Sequence, residues 1–264
     1  MEFEIIWIIS SVFFLGWAAI QDWKKRLIED RIWLIQLGFS LIIYIWWFKV
    51  SATSSEMIIS LINILMSMIF SFFLFYSGAF SGADSKALFV LSINSPIAYS
   101  ISIITNDLSV PYFSIMGILF NMFIFFILFA FLLLILNIYQ ITSMGPLFKG
   151  THGTKTQKFM VLISARRVWK GQVEQIKFHD PVEVLEANHW KLYTPVFQGP
   201  MDDETFERLE REMREAAVRD VIESNKPFLW MRPQPPGIIF ILLAQITWIF
   251  IGSPFTILLK YYIG

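Results

Sequence analysis

The sequence predicts an all-α polytopic membrane protein of six transmembrane helices, with a small cytoplasmic α+β region between the fifth and sixth. Three observations predict it. Of 264 residues, 56% are hydrophobic and only 16% charged, where a soluble domain carries about 25% charged residues. The mean hydropathy is +0.59. The apolar residues are gathered into runs of about 20, the length that crosses a bilayer.

In chain order, the first span runs from about Phe3 to Gln21 and ends in Asp22-Trp23-Lys24-Lys25-Arg26. It has no basic stretch before it and carries Glu2 and Glu4 there, so it reads as a retained span rather than a cleaved signal. The second covers about Arg31 to Phe48, with Trp46 and Trp47 at the level of an interfacial aromatic belt. Thr53-Ser54-Ser55-Glu56 has the pattern of a capping box and opens the third span, Met57 to Tyr76. A turn of small residues, Ser77 to Lys86, follows, and the fourth span runs from Ala87 to Ile104. After a polar loop, Thr105 to Pro111, the fifth covers about Tyr112 to Ile141. Pro236 to Leu259 forms the sixth. The layout is therefore residues 1–142 for five helices, 143–233 for a polar region and 234–264 for the last helix.

Within the polar region, Lys158 to Phe178 mixes β-branched and aromatic residues with charges and predicts short strands. Asp202 to Glu223 predicts a helix, with Glu207–Arg211, Glu210–Arg214 and Glu215–Arg219 spaced as i,i+4 pairs and Phe206, Leu209, Met213 and Ala217 forming a narrow apolar stripe. The region shows little apolar mass of its own. Pro227, Pro233, Pro235 and Pro236 stiffen the approach to the last span.

Basic residues in short loops set the orientation. Lys24, Lys25, Arg26 and Arg31 follow the first span and Lys86 follows the third, whereas the opposite side holds Lys49 and Lys260. The N- and C-termini are expected outside and the 143–233 region inside. The zero net charge gives no argument for nucleic acid as a partner. The absence of cysteine removes disulfides, thiol nucleophiles and cysteine-based zinc sites. His152, His179 and His189 have none of the close spacings of metal ligands, so neither a metal nor another cofactor is expected.

Two carboxyls stand out. Asp84 lies where an apolar run begins, and a carboxylate at a membrane boundary is costly. It reads either as a helix cap or as a functional acid. Asp22 ends the first span on the same expected side and at similar depth; alone, it reads as a solvated acid balanced by neighbouring lysines. Two carboxyls that meet cannot both ionise easily and share a proton. Such a pair suits peptide hydrolysis: one member takes a proton from water while the other polarises the scissile carbonyl.

Gln21-Asp22-Trp23, followed by Arg26-Leu27-Ile28-Glu29-Asp30-Arg31-Ile32-Trp33, resembles the first catalytic segment of archaeal preflagellin peptidases. Ser81-Gly82-Ala83-Asp84-Ser85-Lys86 resembles the GxGD element of those enzymes and of type IV prepilin peptidases, and more distantly of presenilin-type intramembrane proteases. Ser81 and Ala83 stand where that motif has glycines. Arg232-Pro233-Gln234-Pro235-Pro236 resembles the Pro-Gln-x-Pro approach to the last helix. The resemblance implies a membrane aspartic endopeptidase with Asp22 and Asp84 as its catalytic dyad. It would remove the short basic leader from preflagellin or prepilin-like precursors at the cytoplasmic membrane face. The implied leader ends in a basic residue and glycine just before a hydrophobic helix. Glu29 and Asp30 are then candidates to attract the leader, or loop acids balancing Lys24, Lys25 and Arg26. Gly82 and Lys86 are further candidates for substrate contact, Lys86 alternatively snorkelling to the interface. Without the cysteine-rich domain of many bacterial relatives, peptidase activity alone is expected. Two rival readings use the same residues: a proton- or cation-coupled transporter with intramembrane acids, and a scaffold in which both aspartates only cap helices.

Overall fold

The computed structural model describes residues 2–50, 52–77, 80–94, 114–173, 175–176, 178–186, 189–192, 203–224 and 226–252. The chain divides into two compact units, Met1–Phe126 with Pro236–Gly264, and Ile127–Pro235.

In the first unit, α1 (Glu2–Lys25), α2 (Asp30–Val50) and α3 (Ser54–Tyr76) are long apolar helices, and α4 (Gly82–Asn94) follows. Thr53 caps α3 as its sequence predicts: its hydroxyl accepts from the Glu56 N–H, and the Glu56 carboxylate accepts from the Thr53 N–H at 2.8 Å. The first part of α5 (Ser114–Met144) and all of α8 (Gly237–Phe250) complete the unit. Among the described residues, four helices are long and apolar enough to cross a membrane: α1, α2, α3 and α5. The described parts of α4 and α8 have 13 and 14 residues, so six spans are not established. The rest of the expected fourth span, the Thr105 to Pro111 loop and residues 253–259 of the expected sixth lie outside the described residues.

The distribution of side chains on α3 is that of a helix in lipid. Its buried residues are Ser60, Asn63, Ser67 and Ser71, while Ile58, Leu65, Ile69 and Phe73 are exposed. Lipid tails are as apolar as leucine, so bundle interiors favour small residues and internal hydrogen bonds over greasy ones. The same logic ties α1, α2 and α4: the Ser10 and Ser40 hydroxyls lie 2.9 and 3.0 Å from Asn94 Oδ1, and the Asn94 amide donates to the Trp7 carbonyl. Around this knot α1 packs on α8 and α2, and α4 packs on α2 and α3. Leu15, Ala18, Trp33, Leu88 and Ile241 form the centre of the apolar core.

The second unit holds the end of α5, then β1 (Thr151–His152), α6 (Lys155–Ser164), β2 (Arg166–Trp169) and a 3₁₀ turn at Lys170–Gln172. The strands β3 (His179–Pro181), β4 (Glu183–Glu186) and β5 (His189–Leu192) precede α7 (Asp203–Glu223) and β6 (Phe228–Pro233). One sheet has the order β1-β5-β4 and the other β2-β6-β3, with β6 antiparallel to both neighbours. Three sequence expectations are corrected here. Lys158 to Ser164 is helix, because Thr154 and Gln157 form a capping box that starts α6. Phe228–Pro233 is the buried central strand of a sheet, not merely a stiff approach to α8. The region also carries two small cores of its own, one around Val168, Leu229 and Met231 beneath Ala217 and Val221, the other around Trp230 and Val161.

The predicted helix over Asp202 to Glu223 is present as α7. Asp202 and the side chains of Phe206, Glu207, Leu209, Glu210 and Met213, on which its stripe and two of its pairs rest, lie outside the described residues. Asn137 on α5 donates to the carbonyls of Leu162 and Ala165 at 2.9 and 2.6 Å, which joins the end of α5 to α6. A buried ion pair joins Lys226 to Glu183, and Thr151 bonds to both. Burial pushes the Glu183 carboxyl up, opposed by Lys226, and pushes the Lys226 ammonium down, opposed by Glu183.

Candidate active site

Asp22 lies in the last turn of α1. The Arg26 N–H closes that turn on the Asp22 carbonyl at 3.0 Å, and Arg26 ends it with φ +58°, a left-handed conformation that costs a side-chain-bearing residue about 1–2 kcal/mol. This reversal brings the Arg26 guanidinium to 3.8 Å from Asp22 Oδ1. The following loop is tied back where the Glu29 N–H donates to Gln21 Oε1 at 3.2 Å.

Asp84 is the third residue of α4. The Ser81 hydroxyl accepts from the Asp84 N–H at 3.2 Å, and the Asp84 carboxylate accepts from the Ser81 N–H at 3.3 Å. This is a reciprocal capping box. The Ser81 hydroxyl also lies 2.8 Å from Asp84 Oδ2. Ser81, not Asp84, is thus the capping residue, and Asp84 is its partner. The serine that stands at a motif glycine has no positive φ and holds the carboxylate by its own side chain.

Both aspartates meet the start of α8. Pro236 precedes that helix with no side-chain cap, so its first amides need acceptors from elsewhere. Asp22 Oδ2 accepts from the Ile238 N–H at 3.4 Å. Asp84 lies against the adjacent residue: a Cβ built on Gly237 would stand 2.6 Å from Asp84 Oδ2 and 2.7 Å from its Cγ. Consecutive residues of α8 therefore touch carboxylates that come from α1 and α4. Arg26 is within electrostatic reach of both. A cation and a positive helix end beside two acids offset part of the cost of holding negative charge there. A water placed between such carboxylates would have a proton acceptor on one side and, when one acid is protonated, a donor on the other.

The remaining candidates fall around this centre. Asp30, at the start of α2, pairs with Lys86 on α4 at 2.6 Å, with both side chains more than half exposed. Lys86 thus holds an acid of the neighbouring helix. Glu29 is exposed. Gly82 opens α4, and a Cβ there would meet only Phe75 Cε2, at 3.7 Å, so the position has room for a methyl group. In the second unit the rings of His152 and His189, far apart in sequence, are 5.5 Å apart between centroids. Among the described residues no three histidines or acids gather as a metal site would require.

Sequence reasoning missed Arg26, Ser81 and Gly237. Arg26 counted only as loop charge, and Ser81 only as a departure from a motif. Gly237 had one available signal, its position directly after Pro-Gln-Pro-Pro at the start of a hydrophobic run.

Comparison with known proteins bears on this arrangement. The sequence profile of the type IV leader peptidase family matches residues 9–139, the stretch that contains both aspartates. The chain is also similar to a preflagellin peptidase from Methanococcus maripaludis strain C6, with 26% identity over 243 residues that cover 89% of this chain and 90% of that protein.

Proposed function

We propose that the chain is a multi-pass membrane peptidase of the type IV leader peptidase family, and that it removes the basic leader from preflagellin or prepilin-like precursors with an Asp22/Asp84 dyad. The observation that carries the reading is the meeting of the two carboxylates with consecutive residues of one helix end, Ile238 and Gly237.

In the proposed reaction one carboxylate accepts a proton from water as the water oxygen attacks the scissile carbonyl. The other, protonated, donates a hydrogen bond to the carbonyl oxygen as it becomes an oxyanion. Collapse of the tetrahedral intermediate expels the amine of the mature protein, which takes up a proton from the first acid. No covalent bond to the enzyme forms, and the two acids end the cycle holding one proton as they began. Six spans are part of the same proposal, as are outward termini and a cytoplasmic 143–233 region. They put both acids at the inner membrane face, where a basic leader is presented.

The test is cleavage of a preflagellin by the detergent-solubilised protein. Asp22→Asn and Asp84→Asn each keep size and hydrogen-bonding capacity but cannot cycle a proton. Each is expected to abolish the shortened product while leaving the protein folded. Cleavage that survives both substitutions would refute the dyad.

A further inference from the structure

The stretch that leaves α5 carries charge of one sign. Between Asn137 and Val173 there is no aspartate or glutamate, whereas Lys149, Lys155, Lys158, Arg166, Arg167 and Lys170 are basic. Arg167 and Lys170 are engaged inside the fold. The Arg167 guanidinium donates to the Gly145 carbonyl at 2.9 Å, and the Lys170 ammonium to those of Ile222 and Ser224 at 2.8 and 3.1 Å. Lys149 and Lys155 are exposed. Lys158, on the same helix as Lys155, is half-buried, its ammonium 5.6 Å from the centre of the Phe148 ring.

That helix, α6, is apolar on two sides. Val161 and Leu162 pack inward with Phe148 and Trp230. Thr156, Phe159, Met160 and Ile163 have the i, i+3, i+4, i+7 spacing of a second face, and Phe159 and Met160 there are 57% and 49% exposed. In water a surface helix carries polar residues on such a face.

The attachment of α6 to α5 indicates what covers it. α5 is apolar without a break from Met122 to Leu136, and polar residues enter at Asn137, Gln140, Thr142 and Ser143. Tyr139, 73% exposed, suits the aromatic belt at the level of lipid headgroups. Asn137 is also the residue whose amide holds the end of α6, through the carbonyls of Leu162 and Ala165. α6 is thus tied to α5 where the span passes from hydrocarbon to water. A helix at that level with an apolar face and basic flanks lies in the bilayer surface, and a basic cluster just beyond a span attracts anionic lipid. A protein partner would have to displace the lipid that already meets this part of α5. We propose that α6 is an interfacial anchor, with Phe159 and Met160 entering the acyl boundary and Lys149, Lys155 and Lys158 meeting anionic headgroups. The proposal rests on α5 crossing the membrane and not on the aspartate dyad.

The chain has no cysteine, so single cysteines in the full protein can carry the environment-sensitive dye NBD. Leu136→Cys on α5, Phe159→Cys on α6 and Lys191→Cys on β5, where the lysine is 53% exposed, are compared in phosphatidylglycerol vesicles whose lipid bears a nitroxide near the top of one acyl chain. Quenching at 159 is expected to match that at 136 and to exceed that at 191 about fivefold, since an interfacial helix sinks its apolar face about 5–10 Å into the boundary. It is expected to persist when the protein is diluted in lipid and to weaken in phosphatidylcholine vesicles. Lys149→Gln, Lys155→Gln and Lys158→Gln together are expected to lower it to the phosphatidylcholine level. Quenching at 159 no greater than at 191, or lost on dilution as a contact between copies would be, overturns the anchor, while quenching at 136 keeps α5 as a span. Quenching at 159 unmoved by the three lysine substitutions overturns the role of the headgroup charge. Absence of quenching at 136 overturns the span and the anchor together.

Discussion

Gly237 and Asp84 touch with no space for a methyl group between them, the glycine on the last described helix and the acid on the fourth. An alanine at 237 must displace either the Asp84 carboxylate or the start of α8, and α8 also holds Asp22 through Ile238. Gly237→Ala is expected to lower kcat about 100-fold, the scale of a displacement of about 1 Å at a reacting group. Gly16→Ala, where a new Cβ meets nothing within 4 Å, serves as the control and is expected to cleave at the normal rate. Initial rates of leader removal check both.

Ser81 holds Asp84 from three residues away. Ser81→Ala removes a helix cap worth about 1 kcal/mol together with the hydroxyl beside Oδ2. The expected result is a thermal midpoint lower by a few degrees and a kcat lower by about tenfold. Ser81→Thr keeps the hydroxyl and is expected to restore both. A kcat that falls without rescue by threonine would count against this positioning role.

The Asp30–Lys86 pair predicts a small effect. Both side chains are more than half exposed, and such pairs contribute about 0.2–1 kcal/mol. A double-mutant cycle of Asp30→Asn and Lys86→Met in thermal unfolding is expected to give a coupling energy below about 1 kcal/mol, shrinking with added salt.

The Glu183–Lys226 pair predicts a large one. Lys226→Met leaves a buried carboxylate with no cation, a loss of about 3–5 kcal/mol. The sign with pH follows from the direction of the Glu183 shift. Burial raises its folded-state pKa above the ordinary 4.5, and removing Lys226 takes away the charge that opposes the rise. Above the unfolded value the native state then holds a proton that the unfolded chain releases, so stability falls as pH rises through that window. The variant is expected to be more stable at pH 5 than at pH 8 by thermal or denaturant unfolding. Glu183→Leu added to Lys226→Met is expected to recover most of the loss.

What was legible in the sequence follows the range of the interactions. Apolar runs and the Thr53–Glu56 box are local, and α1, α2, α3 and α5 were readable from them. Thr154–Gln157 is equally local but was outweighed by the β-branched residues that follow, so α6 was read as strand. β6 was hidden because Phe228 to Pro233 becomes a central strand only through partners at 166–169 and 179–181. At the candidate site, matching side and depth drew attention to Asp22 and Asp84. The approach of Gly237 to Asp84 joins residues 153 positions apart (237 − 84), and no local pattern encodes such a distance.

That separation bears on how the enzyme comes into being. Both acids are synthesised well before the helix that buttresses them leaves the ribosome. Until α8 docks, Asp22 lacks its amide partner and Asp84 lacks its neighbouring wall. The nascent peptidase is therefore expected to stay idle among the newly made membrane proteins around it, acquiring its cutting power only once that helix is in place.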